Sequence, residues 1–125
     1  MGRSAPRASD TQDVYASPLV ARSASPEMSA LFSMRHRALT WRRIWLALAE
    51  SQRELGLKIS AKQISALRAG LSRIDLNAAR TYEMKLRHDV MAHLHAYGDV
   101  APAARGILHL GATSMDIVDN ADLLI

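Results

Sequence analysis

The chain has 125 residues, enough for one domain that buries roughly two thirds of its unfolded surface, and its 49% apolar, 22% charged composition excludes wholesale disorder. Aromatic residues make up only 5% while Ala, Leu and Arg abound, which favours helices over β-sandwiches; the lack of cysteine excludes disulfides, thiolate-bound zinc, iron–sulfur clusters and a thiol nucleophile. A formal net charge of +4 suits an anionic partner, without choosing between nucleic acid, a phosphorylated metabolite and a carboxylate-rich substrate.

In chain order, residues 1–14 are rich in Ser, Ala, Arg and Asp without periodicity and are expected to form a flexible tail. No hydrophobic stretch follows Arg3 and Arg7, Pro6 stands where a myristoylation start wants Ser or Thr, and no apolar run approaches the ~20 residues that span a bilayer. The expected address is cytoplasmic, with no membrane partner. Tyr15–Leu19 is expected to be extended, because Pro18 drives Ser17 out of the helical region. Ser25-Pro26-Glu27 then reads as a helix start, with a cap, a first-turn proline and a carboxylate that suits the helix dipole; this helix ends near Phe32.

Ser33 caps the longest predicted helix, which runs to about Leu55 and stops at Gly56. Its apolar stripe is Met34, Ala38, Trp41, Trp45, Leu48 and Leu55; Arg35, Arg37, Arg42, Arg43 and Glu50 are expected on a wet face. Ser60 caps a helix over 61–69 closed by Gly70, and Asp75 opens another that carries Leu76, Ala79 and Leu86. Pro102 and Gly106 interrupt the pattern before Ile107-Leu108-His109-Leu110 leads into Gly111-Ala112-Thr113-Ser114 and a last helix marked by Asp116 and Asp119. The closing Asp122-Leu123-Leu124-Ile125 has neither cap nor breaker, so the terminus reads as an interruption. The last helix is expected to expose its apolar face and to drive self-association.

Two clusters carry chemistry. In Arg87-His88-Asp89-Val90-Met91-Ala92-His93-Leu94-His95, three consecutive polar groups close an otherwise apolar helix and read as a site. A helix through them sets His88 and His95 on one face about 10 Å apart, too far to share a metal, so no metal site is expected. His93 and His95 read as histidines satisfied inside a bundle. In His109-Leu110-Gly111-Ala112-Thr113-Ser114, a glycine, two hydroxyls and a following helix amount to an anion cradle, whose bland alternative is plain helix capping.

The order and spacing of these segments resemble the adenylosuccinate lyases of the fumarase/aspartase superfamily. The resemblance rests on Ser17-Pro18-Leu19, Arg22, Ala24-Ser25-Pro26-Glu27-Met28, Thr40-Trp41-Arg42, Trp45, Leu48-Ala49-Glu50, Arg87-His88-Asp89-Val90-Met91-Ala92-His93 and His109–Ser114 with Asp119-Asn120, and runs from Tyr15 to Ile125. The His109–Ser114 segment is shared with wider relatives; the Arg87–His93 run is more particular to this family. The resemblance implies an all-α chain: a tail over 1–14, an N-terminal helical domain over 15–112, and over 113–125 the start of a central helical bundle that the chain truncates. It also implies a homotetramer, no metal or organic cofactor, and β-elimination of fumarate from adenylosuccinate or its imidazole-carboxamide counterpart.

Carried over residue by residue, the nucleotide would be positioned by Arg22, Arg87, His88 and Asp89, and the succinyl carboxylate held by Thr113 and Ser114. Ser23 stands where the family often has Tyr, which puts that substrate contact in doubt. His88 is assigned positioning first and proton work second. The family's proton-donating histidine and its loop serine lie further along, so the 125 residues alone are expected to be inactive. The alternatives are another superfamily lyase, acting on argininosuccinate, aspartate or a carboxymuconate, and a small basic helical module for nucleic acid or a protein. The Arg87–Asp89 trio argues against the first and the Gly111–Ser114 segment against the second.

Overall fold

The computed structural model describes residues 17–125, and every element among them is helical. The expected tail and the start of the expected extended segment lie outside the described residues. The described residues fall into two units that divide between Ala30 and Leu31.

In the first unit, α1 (Pro18–Ser23) replaces the expected extended stretch. The steric restriction of Pro18 falls on Ser17, which is indeed extended (φ −65°, ψ 121°), while the proline itself has a φ preset for a first helical position. α2 (Pro26–Leu31) begins where expected, and the Ser25 hydroxyl accepts from the Met28 amide at 3.1 Å.

The second unit contains α3 (Met34–Glu54), α4 (Ala61–Gly70), α5 (Leu76–Leu86), α6 (Asp89–Val100), a 3-10 turn over Pro102–Ile107, and α7 (Ser114–Leu124). The predicted starts hold because each is written locally. Ser33 accepts from the His36 amide, Ser60 forms a reciprocal capping box with Gln63, and Asp75 accepts from the Asn77 and Ala78 amides. The core gathers Trp41 and Trp45 from α3, Leu67 from α4, Val90 and Tyr97 from α6, and Ile117 from α7. The middle of the predicted α3 stripe is therefore inside, but its ends are not: Met34 and Leu55 are 58% and 83% exposed.

Arg42 overturns the expected wet face. It is 2% exposed, and its Nη1 donates to the carbonyls of Gly70 (2.7 Å) and Arg73 (3.0 Å), at and just beyond the end of α4. A helix end leaves carbonyls without partners and carries partial negative charge, so a guanidinium serves there as a cap supplied by another helix. Its other face lies 4.7 Å from the centre of the Tyr97 ring. Tyr97 in turn donates to the Leu67 carbonyl at 2.7 Å, and burial pushes its phenol pKa up. Gly70 lets α4 approach α6 closely: a Cβ there would lie 3.1 Å from Val100 Cγ2 and 3.4 Å from Tyr97 Cε2.

α7 has partners that the sequence reading denied it. Ile117 and Ala121 are buried and α7 packs on α3 and α6, whereas Met115, Leu123 and Leu124 remain exposed. His93 and His95 sit inside the bundle as expected, but through ring contacts and not the expected polar ones. His93 is buried edge-on to Trp41 (5.2 Å between rings), and His95 stacks on Tyr82 (5.2 Å), whose hydroxyl donates to Asp99. Among the described residues, no helix is long and apolar enough to cross a membrane.

Candidate functional site

The Arg87–Asp89 trio does not close one continuous helix; it is the junction between two. Arg87 sits in the left-handed region (φ 51°, ψ 40°) at the end of α5, and its amide donates to the Glu83 carbonyl at 2.7 Å. His88 is extended (φ −152°, ψ 112°) and caps α6, its Nδ1 accepting from the Met91 amide at 3.3 Å. The shared face expected for His88 and His95 therefore does not exist. Asp89 lies in the first turn of α6, where the dipole favours a carboxylate, with Oδ1 3.7 Å from His88 Nδ1. All three side chains of the trio are exposed.

Because Nδ1 of His88 accepts a hydrogen bond, the neutral ring carries its proton on Nε2. That nitrogen lies 3.2 Å from Ser114 Oγ, at the start of α7. The two clusters, 26 residues apart in sequence, thus meet at one hydrogen bond. Plain capping falls to Thr113, the N-cap of α7, which forms a capping box with Asp116. Asp116 accepts from the Thr113 amide at 2.9 Å, and Ser114 is left to engage His88. The start of α7 combines outward amides, its dipole and the hydroxyls of Thr113 and Ser114.

His109, which opens the second cluster, belongs here as well. Its backbone is left-handed (φ 66°), and its Nδ1 accepts from the Trp45 indole at 3.0 Å. Burial lowers its pKa first; Asp116 opposes that shift and His88 adds to it, so the ring shares the electrostatic surroundings of the cluster. No periodicity signals a bond to a tryptophan 64 residues away, which is why sequence reasoning missed it. Among the described residues, Arg87 and His109 are the non-glycine residues with positive φ, one in each cluster. Such conformations cost roughly 1–2 kcal/mol and concentrate where a side chain must be aimed. Arg87→Gly is accordingly expected to raise stability by about 1 kcal/mol in urea unfolding while removing the guanidinium.

Arg22 and Ser23 lie in the last turn of α1 in the first unit, both exposed. Among the described residues, no group of three His, Cys, Asp or Glu side chains is placed to hold a metal ion.

Burial also depresses the pKa of His93, with the Arg42 charge a second cause in the same direction. A histidine depressed below its ordinary 6.5 binds its proton more readily unfolded than folded. Stability is then complete above about pH 6.5 and is lost as pH falls below it towards the folded values. Thermal melts at pH 7.5, 6.5 and 5.5 should show Tm falling with acidification, and His93→Gln should flatten the slope.

The fold and the site define a helical segment that presents paired histidines, a hydroxyl and an arginine at helix ends, an arrangement suited to an anionic small molecule. Compared with known proteins, the chain is 49% identical over 115 residues to the adenylosuccinate lyase of Saccharomyces cerevisiae, covering 90% of this chain and 24% of that protein. It is 50% identical over 113 residues to that of Schizosaccharomyces pombe (88% and 23%), and 32% identical over 103 residues to that of Bacillus subtilis (82% and 23%). No protein-family model matches. The chain belongs to the adenylosuccinate lyase family and spans about a quarter of the length of the curated relatives it matches.

Proposed function

We propose that this chain supplies part of the substrate-holding site of an adenylosuccinate lyase, a carbon–nitrogen lyase that eliminates fumarate from adenylosuccinate to give AMP, and from the succinyl-aminoimidazole-carboxamide ribotide of purine synthesis. The observation that carries this reading is the 3.2 Å contact between His88 Nε2 and Ser114 Oγ, which makes one site of two clusters. In the elimination a base takes a proton from the carbon beside a carboxylate, and negative charge builds on that carboxylate as the carbon–nitrogen bond breaks. Fixed donors aimed at such charge contribute ~3–4 kcal/mol each.

Ser114 suits this role. Its oxygen accepts from His88 Nε2–H, so its own hydroxyl hydrogen is left to donate to the succinyl carboxylate, beside Thr113 and the first amides of α7. Arg87 suits the phosphate as a planar fork, and Asp89 with His88 suits the remainder of the nucleotide; on the first unit, Arg22 is a fork of the same chemistry and Ser23 a small hydroxyl where the family often has a ring. Neither His88 nor His109 has a free ring lone pair, since each Nδ1 already accepts from an internal donor. Both therefore position substrate, and the base that takes the carbon-bound proton comes from residues other than these two.

In this reading residues 15–112 are the N-terminal helical domain and 113–125 begin the central bundle. The working enzyme is a cytoplasmic homotetramer without cofactor, and the chain engages neither nucleic acid nor membrane. Calorimetric titration of the purified 125 residues with adenylosuccinate is expected to give saturable binding, with no fumarate absorbance appearing afterwards. Fumarate release would overturn the division of labour. Salt-sensitive binding to random duplex DNA, indifferent to adenylosuccinate, would favour a basic binding module instead.

A further inference from the structure

We propose that Trp45 is a positioning residue: its buried indole N–H holds His109 as the neutral tautomer protonated on Nε2, so that this histidine meets an anionic ligand as a hydrogen-bond donor and not as a base. The ligand half of this statement rests on the reading of the site given above; the tautomer half does not.

An indole nitrogen can only donate, so the ring atom facing it must be a bare acceptor. Trp45 Nε1 lies 3.0 Å from His109 Nδ1, which leaves Nε2 as the ring's protonated nitrogen. The donor cannot swing away. Trp45 is 1% exposed and wedged against Trp41 and Tyr97, with ring centres 6.5 and 6.3 Å away, on the longest helix of the chain. Trp41, one turn earlier, is equally buried, yet its Nε1 has no hydrogen-bond partner among the described residues. Burial of an indole in this core does not by itself bring an acceptor to it. The acceptor is brought to Trp45 by His109, whose left-handed backbone swings the ring onto the indole.

The arrangement also opposes the charged form. A protonated His109 would carry a hydrogen on Nδ1, directed at the indole hydrogen, and that clash adds to the burial that already disfavours the cation. His88 obeys the same logic through a backbone donor, the Met91 amide. The site therefore offers an anion the Nε2–H of a neutral His109, while His88 spends its own Nε2–H on Ser114. Positive charge is left to Arg87 and to the helix end.

Long-range 1H–15N spectra of the uniformly 15N-labelled chain report which ring nitrogen bears the proton. At neutral pH His109 is expected to show a bare Nδ1 and a protonated Nε2. Trp45→Phe keeps an aromatic ring and removes the donor. It is expected to convert His109 to a mixture of tautomers, to raise its protonation midpoint, and to weaken adenylosuccinate binding about 3- to 10-fold. A purely packing role for Trp45 would lower the melting temperature and leave the nitrogen pattern alone. A proton on Nδ1 in the unsubstituted chain overturns the proposal, and that spectrum decides the matter even where Trp45→Phe fails to fold. An unchanged His109 pattern in a folded Trp45→Phe chain overturns it as well. A correct tautomer without any adenylosuccinate binding would sink the nucleotide reading of the site and leave the Trp45 lock standing.

Discussion

Arg42→Met is expected to destabilise the chain by about 2–3 kcal/mol, read as a lower urea midpoint at unchanged slope. Met nearly fills the volume and spares the cost of burying a charge, so packing alone predicts little loss. The balance is decided by what the guanidinium leaves behind. The Gly70 carbonyl loses a 2.7 Å hydrogen bond from a charged donor, worth about 1.5–3 kcal/mol, and keeps only the 3.2 Å bond from the Arg73 amide. The Arg73 carbonyl, on an exposed residue, can recover water and adds less. Loss of the contact with the Tyr97 ring adds a further share. Against a typical domain stability of 5–15 kcal/mol the total is large. A midpoint shift worth under ~0.5 kcal/mol would mean that water replaces the guanidinium at both carbonyls.

The second large effect separates two jobs of one side chain. His88→Ala removes the cap of α6 and the partner of Ser114 together, and should cost about 1 kcal/mol of stability along with most of the affinity for adenylosuccinate. His88→Asn offers a good capping oxygen near the place of Nδ1 but is too short to reach Ser114. It should restore the stability and leave the affinity about 10-fold low, as for a lost hydrogen bond to a charged ligand. Thermal melts and calorimetry on both variants read the two effects apart. Recovery of affinity in His88→Asn would show that the contact with Ser114 is dispensable.

What the sequence made legible is what neighbours decide. Ser33, Ser60 and Asp75 act on amides two or three residues away, so α3, α4 and α5 could be started correctly from the letters alone. The family resemblance drew on the same continuous runs. Two misreadings share one cause, a partner far along the chain, while α1 and the break at Arg87 have local ones. Arg42 satisfies carbonyls 28 and 31 residues on, so a charged letter beside the apolar stripe of an amphipathic helix looked solvated when it was buried. The break at Arg87 carries no Gly or Pro to announce it, because the left-handed residue is an arginine. The meeting of His88 with Ser114 spans 26 residues, and only the packing of α6 against α7 produces it.

The close approach at Gly70 has a consequence for how the unit comes apart. With α6 seated against a missing Cβ, the Gly70 and Leu67 carbonyls are both held by side chains from other helices, Arg42 and Tyr97. α4 therefore has no intermediate way to loosen: separating it by even a side chain's width severs both bonds together. Its amides should exchange with deuterium at the rate of global opening, as one block with α3 and α6. α5, where Ala79 alone is buried, is tied to α6 by the Tyr82 hydroxyl on Asp99 and the Tyr82 ring on His95, so the junction at Arg87 joins that block to a segment held by contacts nearer the surface.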